Sequence, residues 1–194
     1  MKFNVFVENL KVYNEGHSSG EWVFLPISEE EVQRVKKRIS LKGGDEPDEI
    51  INLVIETDFA ATQLSKSDDL SLLNRLATKI KHYMTDEEVD LFCEILDSGI
   101  TLPEPGVIGL INLTYNLNRY QFIDGAVNDT YLGKSEIGKY SEEQLGLFKD
   151  YIDWERVGRD IRANNIGGYT DNGYVRDRQT RWEYVFKPED KEDA

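Results

Sequence analysis

The hydrophobic period of this chain changes twice, and that change restricts it to a fold of mixed type. Near the start the repeat is that of a strand: Phe3, Val5 and Val7 alternate with Asn4, Phe6 and Glu8, and Glu21 to Leu25 supplies a return strand. From Leu70 to Leu96 the repeat lengthens to that of helices, and beyond Tyr120 the two signals mix. The expected fold class is α+β in three small domains: a small β-sheet plus helix over 1–60, a helical bundle over 61–117 and a mixed α/β domain over 118–194. A chain of 194 residues accommodates one domain or two to three small ones.

Local signals place the elements. Ser28 caps a helix whose capping box Glu31 completes and whose buried stripe is Val32, Val35 and Ile39; Gly43-Gly44 breaks it, and Ile50 to Ile55 reads as a third strand. Ser65 or Ser67 is placed to cap a second helix with Leu70, Leu73, Ala77 and Ile80 inward and Leu76 beside them. Thr85 and Glu88 form another capping box, followed by Val89, Phe92, Cys93 and Leu96 on one face and Gly99 at the end. Pro103 and Pro105 precede the apolar run Val107 to Leu113. Tyr120 to Ile123 is strand-like, helical segments lie within Thr130 to Lys139 and Glu142 to Ile161, and Tyr169 to Phe186 supplies hairpin strands. In that hairpin Asp171-Asn172-Gly173 is expected to provide positive-φ residues. Lys187 to Ala194 is highly charged and expected to fray.

Catalytic and metal chemistry find little support. His17 and His82 fall in different regions without ligand spacing, so neither a metal nor a cofactor is expected. Cys93 reads as a small core residue, and its solitude fits a reducing compartment. Gly133-Lys134-Ser135 resembles the end of a phosphate loop, but Gly125 lies too far upstream to complete it. The N-terminus lacks an apolar signal core, and no run approaches the roughly 18 residues of a membrane span, so a cytoplasmic location without membrane contact is expected.

Charge carries more information. Lys plus Arg number 23 and Asp plus Glu 37, a net of −14, which argues against direct nucleic-acid binding because such proteins need a basic footprint for phosphates. Residues 1–60, 61–105 and 106–194 carry nets of −5, −5 and −4, so the acidity is no mere acidic tail. A solvated, solubilising surface explains the total alone. An even distribution also suits a protein that sets carboxylates where duplex DNA has phosphates, about one charge per 1.7 Å of axis.

Three segments point to a family. NLKVYNEGHSSGEW (Asn9 to Trp22), NLTYNLNRYQF (Asn112 to Phe122), and DYIDWERVGRDI (Asp150 to Ile161) followed by GGYTDNGYVRD (Gly167 to Asp177) occur in the order seen in the ArdA antirestriction proteins of mobile genetic elements, which the chain resembles. The resemblance implies an elongated three-domain chain, dimerising through its C-terminal region, that acts as a DNA mimic. Its partner would be a type I restriction-modification enzyme, whose methyltransferase core would be occupied, blocking restriction with reduced modification as a further expectation. Charge grouping places the partner-binding acidic surface on Glu29, Glu30, Glu31, Asp68, Asp69, Asp86, Glu87, Glu88 and Asp90, each of which also sits where it could serve its helix. Tyr151, Ile152, Trp154 and Val157 are the dimerisation candidates, serving an interface or the domain core. The family's antirestriction segment falls near Asp129 to Lys139, where DTYLGKSEIGK is less acidic than the family form; the His-Asp-Tyr-like strand ending is replaced by Glu56-Thr57-Asp58. Two other readings stay open: an acidic interaction module that is not a DNA mimic, and a carboxylate-dependent hydrolase.

Overall fold

The alternation at the N-terminus becomes strand β1 (Phe3–Asn9), which pairs antiparallel with β2 (Glu21–Phe24) on one side and β3 (Ile50–Thr57) on the other, giving the order β2-β1-β3. Phe3, Val5, Val7, Val23 and Leu25 are buried and form the inner face of this sheet. A bulge between Phe6 and Val7 shifts the register with β3. A short helix, α1 (Leu10–Asn14), and a turn at Gly16, with φ of +81°, return the chain to β2. Glu8, which alternates in sequence with the inward Val5 and Val7, is itself fully buried: its carboxylate accepts from the Ser19 N–H at 2.8 Å and from the Ser18 and Ser19 hydroxyls at 3.0 Å. Burial pushes this carboxyl up, but the serine hydrogen bonds outweigh burial and hold it below its ordinary value.

The structure, a computed structural model, describes residues 1–44, 49–140 and 145–187. Helix α2 (Glu29–Ser40) buries Val32, Val35 and Ile39 as its spacing predicts, and Ser28 accepts from the Glu31 N–H at 3.2 Å. The Glu31 side chain does not complete the box; it pairs with Arg34 at 2.9 Å. Helix α3 (Leu70–Tyr83) buries Leu70, Leu73, Leu76, Ala77 and Ile80. Its cap is Asp69, whose Oδ1 accepts from the Ser71 N–H at 2.7 Å, and not Ser65 or Ser67, whose hydroxyls bond each other at 2.9 Å in the preceding turn. Helix α4 (Asp86–Asp97) starts with the full reciprocal box: Glu88 N–H to Thr85 Oγ1 at 3.2 Å and Thr85 N–H to Glu88 Oε2 at 2.9 Å. Its fully buried residues are Phe92 and Ile95; Val89, Cys93 and Leu96 are half-buried, so the inward face is rotated from the expected stripe. Gly99, at φ +70°, follows its end. The apolar run Val107 to Leu113 forms α5 (Gly106–Leu113), buried along most of its length.

The second sheet has the order β4-β6-β5, all antiparallel, from β4 (Tyr120–Asp124), β5 (Ile166–Tyr169) and β6 (Gly173–Asp177). Helices α6 (Asp129–Ile137) and α7 (Trp154–Ala163) pack on each other, and Ile123, Ala126, Leu132 and Tyr174 form a buried cluster joined by Ile161 and Tyr169. The β5–β6 hairpin is present, but no residue from Asp171 to Gly173 has positive φ. The Thr170 hydroxyl takes the turn's N–H groups instead, accepting from Asn172 at 3.2 Å and Gly173 at 3.0 Å. Gly173 is required by space: a Cβ there would lie 2.4 Å from the Ile123 carbonyl oxygen. After β6 the described chain to Lys187 is irregular, shorter in strand than Tyr169 to Phe186 suggested. Part of the Glu142 to Ile161 region expected to contain helical segments, and most of the charged tail, lie outside the described residues.

These elements form two compact units: Met1–Val89 with Leu102–Tyr115 and the segment from Tyr184, and Asp90–Thr101 with Asn116–Glu183. Helix α3 touches both α2 and α5, so most of the region 61–117 joins the region 1–60 in one unit. No helix among the described residues is long and apolar enough to cross a membrane.

Candidate interaction surface

In the first unit, eight of the nine acids expected on the surface sit at three helix starts. Glu29, Glu30 and Glu31 occupy the first turn of α2, Asp68 and Asp69 the approach to α3, and Asp86, Glu87 and Glu88 the first turn of α4. There the unpaired N–H groups and the helix dipole favour negative charge. Asp90, one turn further along α4, belongs to the second unit.

Their engagements divide them. Glu29 accepts from Gln33 at 3.2 Å, and Glu31 pairs with Arg34. Asp68 is half-buried and accepts from the Ser65 N–H at 2.7 Å; burial pushes its carboxyl above the ordinary value. Asp69 caps α3 and pairs with Lys36 of α2 at 2.6 Å; burial works against its charge, but the Lys36 ammonium and the Ser71 bonds prevail and hold it low. Glu88 is committed to its capping box, and Glu87 is held low by its own N–H and the Thr85 hydroxyl. Glu30, Asp86 and Asp90 are exposed and pair with none of the described residues. They are the carboxylates most available to a partner.

A further acidic group escaped the sequence reading. In the second unit, burial first, and then the neighbouring charges of Glu94 and Asp171, push the Asp97 carboxyl up. Asn172 donates to Glu94 Oε1 at 2.7 Å, tying the hairpin turn to α4. Glu94 and Asp97 at three-residue spacing were legible on the helix; the approach of Asp171 depends on the tertiary fold. Among the described residues, no three or more His, Cys, Asp or Glu side chains are grouped to hold a metal ion.

The segment Asp129 to Lys139 is mostly helix α6, and its two acids are engaged within the unit. Asp129 accepts from Arg162 Nε at 3.0 Å and from the Tyr169 hydroxyl at 2.6 Å; these bonds, Arg162 first, hold its carboxyl below the ordinary value. Glu136 pairs with Arg176 at 2.9 Å and Lys139 at 2.8 Å. Of the dimerisation candidates, Tyr151 is 85% exposed, while Ile152, Trp154 and Val157 are half-buried. Phe148, three residues before Tyr151, is 78% exposed and was not singled out in the sequence.

The central segment explains itself through two asparagines. Asn112 donates to the Phe186 carbonyl at 2.8 Å and accepts from its N–H at 2.7 Å; Asn116 does the same to Glu183, at 2.9 and 2.8 Å. Each side chain thus imitates a strand neighbour for one residue of the C-terminal segment. A family model described as "Antirestriction protein (ArdA)" matches residues 5–176. The chain belongs to the ArdA antirestriction family. A search of curated proteins found no match. ArdA proteins are inhibitors that act against restriction-modification systems, so the partner class is a restriction-modification enzyme.

Proposed function

We propose that this ArdA protein inhibits a type I restriction-modification enzyme as a DNA mimic, its carboxylates taking the places of duplex phosphates in the methyltransferase core. Family membership supports the inhibitory activity. The observation that carries the mimicry is the placement, in both units, of acids without countercharges among the described residues: Glu30 and Asp86 in the first, Asp90 and the Glu94, Asp97 and Asp171 group in the second. A surface built only for solubility has no need to hold Glu94 and Asp171 where their charges add to burial in pushing the Asp97 carboxyl up. A surface that imitates a row of phosphates does.

The functional unit in this reading is a homodimer formed through the C-terminal region. Phe148 and Tyr151 expose their rings, and the half-buried Trp154 and Val157 lie one turn apart on α7. Light scattering at micromolar concentration should report a dimer, and Tyr151→Glu should shift it to monomer. A wild-type monomer contradicts this assembly.

Displacement of a fluorescent duplex from a purified type I methyltransferase tests the function. Loss of duplex anisotropy as the protein is added, with no binding of duplex by the protein itself, is the expected result. Tight duplex binding with no effect on the enzyme contradicts it.

A further inference from the structure

We propose that a groove in the first unit binds a small aromatic phosphate ester, of which a nucleoside monophosphate is the simplest. The groove has a volume of about 510 Å³, within the range of sites for ligands of that size. Arg75, Lys79 and Tyr83 follow one another at four-residue spacing along α3, so their side chains share one face. Tyr115, just past α5, and Phe186, whose backbone Asn112 clamps, also line it.

Two cations are held here over aromatic rings. The Arg75 guanidinium carbon is 4.4 Å from the Phe186 ring centre, and the Lys79 ammonium is 4.2 Å from that of Tyr115 and 5.7 Å from that of Tyr83. Among the described residues neither cation pairs with a carboxylate, although the chain carries a net charge of −14. Glu29 lines the same groove and bonds Gln33 instead. The groove's own acid therefore leaves both positive charges available.

The chemistry selects the ligand. A guanidinium fork and an ammonium suit phosphate oxygens, and the Tyr83 ring, 70% exposed, offers a face to a flat base. Glu29 supplies an acceptor for an N–H or O–H of the base or sugar. A long polyanion is repelled by the acidic chain, so the occupant is small and carries few charges. Apart from Glu29 the groove uses none of the acids assigned to the inhibitory surface, and its test is independent of that function.

Calorimetric titration of the full-length chain with adenosine monophosphate, adenosine and inorganic phosphate tests the proposal. The monophosphate should bind one to one, at least about tenfold more tightly than either fragment. Arg75→Gln and Lys79→Gln should each weaken it about tenfold, the loss of one charge-assisted bond. Tyr83→Leu should weaken the monophosphate and leave inorganic phosphate unchanged; circular dichroism checks that each variant is folded. Absence of saturable binding at millimolar concentration overturns the proposal, as does binding insensitive to Arg75→Gln and Lys79→Gln. Equal affinity for inorganic phosphate, or tighter binding of a Glu-rich peptide in competition, also overturns it.

Discussion

Gly133 of α6 and Gly158 of α7 bring two helices together backbone to backbone. A Cβ on Gly133 would stand 2.1 Å from the Trp154 carbonyl oxygen, and one on Gly158 would stand 1.8 Å from that of Asp129. Both separations are far inside van der Waals contact, so α6 and α7 cross this closely only because neither residue has a side chain. The segment Asp129 to Lys139 therefore serves the packing of the second unit. Alanine at Gly158 should force the helices apart at a cost of about 1–3 kcal/mol, partly offset by about 1 kcal/mol of better helix propensity. Urea unfolding should show a lower midpoint with an unchanged slope. A midpoint equal to the wild type would mean that the crossing yields easily.

Asp129 should make the protein acid-sensitive. Its folded pKa lies below the ordinary 3.8, held there by Arg162 first and Tyr169 next. The stability it contributes is present above that ordinary value and is lost as pH falls through the lower folded value. Thermal unfolding across this acid range should therefore fall more steeply for the wild type than for Asp129→Asn. Parallel curves would show that the carboxylate's charge contributes nothing to the fold.

Asp97 should act in the opposite sense. Its raised pKa means that the folded state binds the proton more tightly than the unfolded one, so ionisation near neutral pH costs stability, and lowering the pH through the raised value restores it. Asp97→Asn is expected to raise the melting temperature at pH 7 and to weaken inhibition modestly. A lower melting temperature would overturn the assignment of like-charge repulsion at this site.

The acids separate into those that serve the fold and those that do not. Exposed pairs contribute about 0–1 kcal/mol each, so Glu30→Gln alone should change inhibition by no more than severalfold. The group Asp86→Asn, Glu87→Gln and Asp90→Asn, which spares the Glu88 cap, should reduce inhibition at least tenfold with helix content retained by circular dichroism. Asp69→Asn should lower stability, because Asp69 caps α3 and pairs with Lys36. Abolition of activity by one amide substitution in a folded protein, with no effect of the group, would indicate a discrete site.

Helix starts and the positions of the strands were open to reading in the sequence because they depend on short-range chemistry. Thr85 and Glu88, three residues apart, form the reciprocal box their spacing suggests, and Ser28 caps α2 while the Glu31 side chain turns to Arg34. Asp69 was missed as a cap because two serines nearby offered the same chemistry, and only the turn geometry decides among them. Glu8 lay in the outward phase of β1, and nothing local revealed that Ser18 and Ser19 would fold over it. Long-range approach was the hardest to read. The Asp97 and Asp171 repulsion, the Gly133 and Gly158 crossing and the Arg75 to Phe186 contact each join residues distant in sequence.

Competition between this protein and DNA for one enzyme site tests the central claim most directly. Inhibition of a type I methyltransferase should be titrated at several fixed duplex concentrations and at rising salt. The account predicts that the apparent inhibition constant rises in proportion to the duplex present and that added salt weakens the complex, because both ligands use the same electrostatic site. An inhibition constant independent of duplex concentration would place the protein elsewhere on the enzyme and contradict DNA mimicry.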